Sequence, residues 1–299
     1  MAVKTETQSI AAAAYTTNTV TSKDGTVISY RQLGHGPGVV LLHGSMESAQ
    51  SHMKLAEGLA NAFTVYLPER RGHSLKDVQG KAYSMQKEVE DLDALLTQTD
   101  THLVFGVSAG GLIALQAALT LPNIHKIAVY EPALVVNHSI PMDLIARYDR
   151  EIAEGKIAAA LITGMKAGKM GPPIMDYMPR WLLEYFTTSG MKSEDKTAKP
   201  GDVTMRTLAP TLHYDFQLVT EMAETVNNFK ALRPEVLLLG GSKSPKWLLT
   251  ALDALEKALP HIKRVEFPGL DHSGSSDPNN MNRTGRPDLV AQEMRHFFA

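Results

Sequence analysis

Cysteine is absent from all 299 residues, which excludes a disulfide framework, a thiolate nucleophile and a cysteine-ligated zinc site. An excess of one charge is missing too. With 30 basic and 32 acidic side chains the formal charge is −2, so no overall field draws the chain onto nucleic acid or an anionic membrane. No apolar run approaches the roughly 18 residues of a membrane span, and Ala11-Ala12-Ala13-Ala14 is too short for the apolar core of a signal peptide. The expectation is a cytoplasmic protein acting on a small neutral or weakly charged molecule, with no nucleic acid, membrane, metal or cofactor. Its oligomeric state is unreadable. Residues 1–13 read as a loose tail. The remaining chain, 43% hydrophobic overall, can bury a substantial core as one large domain or a domain with an insertion.

Alternating polar and apolar residues flank Asp24-Gly25, over residues 16–21 and 27–32, as a tight hairpin requires. Val39-Val40-Leu41-Leu42 is apolar without alternation, as expected of a strand covered on both faces. Helical stretches around Ser48–Ala60 and Ser84–Thr97 then alternate with strands at 63–67 and 103–105, the pattern of a wound parallel sheet. A further strand, Ile127-Ala128-Val129-Tyr130, ends at Glu131-Pro132. From about Leu134 to Asn228 the strand pattern stops and helix formers and methionine dominate, so this block reads as a helical insertion, with a mobile loop over Ser193–Asp202. Strands resume at 236–239 and 265–267, with helices near Pro245–Leu259 and Pro287–Phe298.

The most informative segment is Gly106-Val107-Ser108-Ala109-Gly110, between the apolar run Leu103-Val104-Phe105 and the helix-like run from Gly111 to Leu119. Glycines two before and two after the serine allow so sharp a turn that the hydroxyl stands clear of both elements. It lies at a helix N-terminus, where the dipole favours the negative charge that develops when a carbonyl is attacked. A serine hydroxyl needs a base. His272, in Gly269-Leu270-Asp271-His272-Ser273-Gly274 just past the last strand, is the candidate. His261 and His125 precede strands at the opposite edge, His213 lies in the insertion, and His73 follows Arg70-Arg71-Gly72 in a loop.

Leu42-His43-Gly44-Ser45, Pro68-Glu69-Arg70-Arg71-Gly72-His73-Ser74, the serine elbow Gly106-Val107-Ser108-Ala109-Gly110-Gly111 and Gly269-Leu270-Asp271-His272 occur together in one order. In this the chain resembles an α/β-hydrolase-fold protein with a cap domain. The resemblance implies an α/β fold with a mostly parallel eight-stranded sheet flanked by helices, a core of residues 1–133 and 229–299, and a helical cap at 134–228. It also implies oxyanion-hole N–H groups from Ser45 and Ala109, with Met46 the fallback for the first. The competing view of His43-Gly44 is a mere strand-ending turn.

Family members generally carry an aspartate a few residues beyond the strand that follows the cap, but here that stretch reads Leu239-Gly240-Gly241-Ser242-Lys243-Ser244-Pro245. The histidine still needs an acceptor that fixes its tautomer and stabilises the imidazolium. Glu131, which ends the strand beside the serine's own, meets that need, as the acid does in certain haloalkane dehalogenases. Its rivals are Asp271, Asp277, a dyad assisted only by water, and a purely structural Glu131 at the entrance to the insertion. The arginine loop is read as structural rather than anion-binding. Tyr177, Trp181, Tyr185 and Phe186 are expected mostly in the cap core, with Met46, Tyr177 and Trp181 as candidate pocket residues. The expected function is a cofactor-free serine hydrolase cleaving a carboxylic ester, lactone or thioester with an apolar or aromatic moiety through an acyl-enzyme. A lyase or carbon–carbon bond hydrolase using the same triad, and a non-catalytic binding relative, stay open.

Overall fold

The computed structural model describes residues 15–73, 83–141, 143–171, 173–198, 203–279 and 282–299. The proposed N-terminal tail, Ser74 and positions 199–202 of the expected mobile loop lie outside the described residues.

The apolar runs become strands because both of their faces find cover. In Val236-Leu237-Leu238-Leu239 successive side chains point to opposite sides. Val236 and Leu238 accordingly join one core, and Leu237 and Leu239 the other. Val39, Leu41, Phe105 and Val107 divide from Val40, Leu42 and Val104 in the same way. The strands are β1 (Thr16–Thr21), β2 (Val27–Gly34), β3 (Gly38–Leu42), β4 (Thr64–Pro68), β5 (Leu103–Val107), β6 (Lys126–Tyr130), β7 (Glu235–Gly241) and β8 (Ile262–Phe267). They form one sheet in the order β1-β2-β4-β3-β5-β6-β7-β8. β1 with β2 and β2 with β4 are antiparallel, and every later pairing is parallel. The parallel strands therefore deliver their carboxyl ends to a single edge, where a wound sheet gathers its functional loops.

A 3₁₀ turn at Ala49–His52 leads into α1 (Met53–Leu59). α2 (Met85–Thr99) starts at Ser84, whose hydroxyl accepts the Lys87 N–H, and ends at left-handed Asp100. α3 (Ala109–Thr120) is buried almost throughout, consistent with its lack of a polar face. Between β6 and β7 come α4 (Asp143–Ala153), α5 (Ile157–Ala167), α6 (Arg180–Thr197), α7 (Met205–Leu208) and α8 (Leu212–Met222). α9 (Lys246–Ala258) and α10 (Pro287–Phe298) complete the chain. α1 and α10 cover one face of the sheet, and α2, α3 and α9 the other.

The helical insertion has two small cores of its own, one of Tyr148, Ala160, Ala167, Leu212 and Phe216 and one of Leu161, Met191 and Ala209. α8 also serves the main body: Leu218, Val219 and Met222 belong to the principal core. Two expectations are corrected. Ser193–Thr197 is not loop but the last turn of α6, because Arg180 to Thr197 contains no proline to interrupt the helix. The aromatics Tyr177, Trp181, Tyr185 and Phe186 are not core: they are 85%, 69%, 66% and 55% exposed. Trp181 and Tyr185, four apart in α6, mark one side of that helix, and that side faces solvent, while Leu183 and Met191 take the buried side.

Candidate active site

Ser108 occupies the turn between β5 and α3, with φ 55° and ψ −118°, a strained conformation for a residue bearing a side chain. Hydrogen bonds hold it there. Its N–H donates to the Tyr130 carbonyl at 3.1 Å, and its own carbonyl accepts from Gly111, Leu112 and Ala133. The flanking glycines are required by space. A Cβ on Gly106 would lie 2.2 Å from the Gly110 carbonyl oxygen, and one on Gly110 would lie 2.4 Å from that of Leu42. Ala109 is the first residue of α3, where backbone N–H groups have no partner within the helix.

The acid expected at the end of β6 meets the expected histidine. His272 Nδ1 and Glu131 Oε2 are 2.8 Å apart, although 141 positions separate the residues. Glu131 is fully buried and sits at left-handed φ 44°. Its other oxygen accepts the Gly241 N–H at 2.6 Å and the hydroxyl of Ser244. A buried carboxylate with that many donors is satisfied as an anion. Nδ1 therefore carries the proton it shares with Glu131, which leaves Nε2 as the basic nitrogen. Among the described residues Nε2 has no protein hydrogen-bond partner. A second tie runs from the Tyr130 hydroxyl to the Asp271 carbonyl at 2.7 Å. Ser108 bonds to Tyr130, Glu131 follows Tyr130, and His272 bonds to Glu131, so serine and histidine share one edge of the sheet. The rivals are occupied elsewhere: Asp271 accepts from Ser273 and Thr284, and Asp277 from the Lys54 N–H.

Ser244 escaped the sequence analysis. It lies in the stretch that lacks the usual aspartate, and its hydroxyl donates to Glu131. Its position was the signal.

His43 organises the turn after β3. Its Nδ1 donates to the Gly44 carbonyl at 3.0 Å while Nε2 accepts the Arg70 N–H at 3.1 Å, a pattern only the neutral ring can make. Burial, reinforced by the neighbouring His73 and Arg70, holds its pKa well below the ordinary imidazole value. Ser45 is partly buried in this turn, and Met46, at left-handed φ 57°, packs against both apolar clusters of the insertion. Tyr177 and Trp181 stand in solvent instead.

Arg70, 2% exposed, joins the Asp215 carboxylate at 3.0 Å and Glu88 at 3.0 Å, and His73 Nε2 meets Asp215 at 3.2 Å. Burial alone would raise Asp215, but its contacts with His73 and Arg70 hold it at about 2. This network fastens α8 to the arginine loop and has the character of a structural lock. A separate cleft of about 910 Å³ is lined by Arg147, Arg180, Met191 and Arg206 among others, and none of Ser108, Glu131 or His272 borders it.

The sequence pattern of the Alpha/beta hydrolase family matches residues 39–291. The chain belongs to this family. An alpha/beta hydrolase from Sphaerobacter thermophilus DSM 20745 superposes with a TM-score of 0.75 at 29% identity, over 94% of this chain and 100% of the other. Naproxen esterase (carboxylesterase NP) from Bacillus subtilis shares the fold at a TM-score of 0.64 and 16% identity, over 96% and 92%. In sequence, the uncharacterized hydrolase YraK of Bacillus subtilis (strain 168) is 33% identical over 116 residues, 37% of this chain and 43% of YraK. A pimeloyl-[acyl-carrier protein] methyl ester esterase of Xanthomonas oryzae pv. oryzae (strain MAFF 311018) is 33% identical over 97 residues, 32% of this chain. The chain thus spans only 43% and 37% of the lengths of these two relatives. Among the described residues no helix is long and apolar enough to cross a membrane.

Proposed function

We propose that the protein is a serine hydrolase that cleaves a carboxylic ester, lactone or thioester carrying an apolar or aromatic group. The observation that carries this reading is the 2.8 Å contact between His272 Nδ1 and the buried Glu131, at the sheet edge that also bears the strained Ser108. The esterase named among the sequence relatives agrees with it.

Ser108 Oγ attacks the substrate carbonyl while His272 Nε2 takes the hydroxyl proton. Glu131 keeps the ring in the tautomer able to do so and stabilises the imidazolium that results. The N–H groups of Ser45 and Ala109 receive the oxyanion, each worth about 3 kcal/mol of barrier. His272 returns its proton to the departing alcohol, lactone oxygen or thiol, leaving an acyl group on Ser108. Water then attacks the acyl carbon as His272 removes its proton, and collapse releases the acid as His272 returns that proton to Ser108 Oγ. The insertion at 134–228 acts as the cap over this site, with Met46 packed against its apolar clusters. Ser108→Ala should abolish hydrolysis of a p-nitrophenyl ester and labelling by a fluorophosphonate while the circular dichroism spectrum stays unchanged. Retained turnover in a folded variant discards the mechanism.

A further inference from the structure

A second carboxylate–imidazole pair lies beside the first, and no step above uses it. Glu47 Oε2 accepts the Gly44 N–H at 2.8 Å and faces His52 Nε2 at 3.0 Å, while Oε1 accepts the Ser276 hydroxyl. The other nitrogen of His52, Nδ1, faces the Ser275 carbonyl at 3.3 Å. A ring with oxygen acceptors at both nitrogens donates from both, which only the imidazolium can do. Burial disfavours the charge on His52, yet the adjacent Glu47 raises its pKa above the ordinary value; burial likewise opposes the Glu47 charge, and His52 brings it down to about 2. Asp277 also faces His52, with Lys54 and Glu57 beyond it.

The pair spans the two segments that must cooperate in catalysis. Glu47 belongs to the turn after β3, whereas Ser275 and Ser276 follow His272 on the loop after β8. Two consecutive peptide planes of that turn are oriented by side chains. Glu47 holds the His43–Gly44 plane through the Gly44 N–H, and His43 holds the Gly44–Ser45 plane through the Gly44 carbonyl. Because a trans peptide opposes its C=O and N–H, fixing the Gly44 carbonyl fixes the Ser45 N–H. Charge matters equally. A Cβ placed on Gly44 would lie 3.0 Å from Glu47 Oε2 and 3.0 Å from Ser108 Cβ, so the Glu47 carboxylate sits close to where an oxyanion forms. Unneutralised, it would oppose that oxyanion; the His52 charge cancels it.

We propose that Glu47 and His52 form a charge-neutral clamp, with Glu47 a positioning residue that sets the oxyanion turn against the histidine loop. The inference rests on Ser108 being the nucleophile. Its test compares wild type, His52→Gln, Glu47→Gln and the double variant in kcat and KM for a p-nitrophenyl ester across pH. His52→Gln leaves the carboxylate unpaired. It should lower kcat roughly 10- to 100-fold at little-changed KM, less than loss of an oxyanion donor, with activity falling further as pH rises and Glu47 ionises. The double variant should regain most of that kcat, since no net charge remains. A double variant as slow as His52→Gln, or a wild-type rate in His52→Gln, overturns the clamp. Should His52→Gln fail to fold, Ser276→Ala, which cuts one tie only, should lower kcat a few-fold at unchanged KM, and a wild-type rate there overturns it. If the wild type neither turns over nor labels, the nucleophile reading fails by itself. The clamp is then judged by hydrogen exchange, where His52→Gln should deprotect Gly44 and residues 271–277 together, and loss in one segment alone overturns it.

Discussion

Glu131–His272 and Glu47–His52 are both carboxylate–imidazole pairs at the carboxyl edge of the sheet, separated by 2.8 and 3.0 Å, yet the remainder of each ring is treated differently. His272 gives one nitrogen to its carboxylate and leaves the other without a protein partner among the described residues. His52 has an acceptor at each nitrogen. An imidazole with an open basic nitrogen can move a proton; one held at both ends can only carry charge. His43, neutral with one nitrogen donating and one accepting, is a third wiring of the same side chain and can do neither. What each of these histidines does is thus set by the count and kind of its partners.

The comparison breaks most severely at Glu131. Glu131→Gln should lower kcat for a p-nitrophenyl ester by about 10⁴-fold, because the amide no longer enforces the productive tautomer. A loss under tenfold would mean that the carboxylate is structural. Ser244→Ala is the milder version of the same cut. Glu131 keeps the Gly241 N–H and His272, so the expected loss is about tenfold in kcat and about 1 kcal/mol in denaturant-measured stability.

The second pair answers to pH. Glu47, depressed from an ordinary 4.5 to about 2, contributes stability that is present above 4.5 and lost as pH falls through its folded value. His52 is raised above 6.5, so its contribution is full below 6.5 and lost as pH climbs through the raised value. The margin in Tm of wild type over Glu47→Gln/His52→Gln should therefore be widest between pH 4.5 and 6.5, and narrow on both sides. A margin flat from pH 3 to 9 would show that the pair is not ionised. The smallest effect is expected at Trp181. Trp181→Ala removes a mostly exposed ring and should change stability by no more than about 0.5 kcal/mol, leaving kcat for a small ester untouched. An altered KM confined to bulky aromatic esters would bring α6 into the substrate path.

Much of the body was legible because its signals are local. Apolar runs such as 39–42 and 236–239 have no polar face to misread, and Asp24-Gly25 announced its hairpin. The elbow was legible for the same reason: Gly106, Ser108 and Gly110 lie within five residues and a strand and a helix bracket them. The insertion was harder to read. Spacing of four between Trp181 and Tyr185 says that they share a side of α6, but inward and outward sides have the same period, and only the neighbouring helices settle which is covered. Ser244, Glu47 and His52 went unnoticed because each matters through a partner far along the chain.

Local order along the polypeptide determined the alternation of strands and helices, the strained serine and the histidine past the last strand, since each depends on neighbours a few positions away. Tertiary structure alone decided which carboxylate meets His272, that Ser244 donates to that carboxylate, and that Glu47 meets His52 against the turn after β3. Those choices rest on hydrogen bonds that succeed or fail within a few tenths of an ångström, between residues as much as 141 positions apart, and nothing in sequence spacing encodes such a distance.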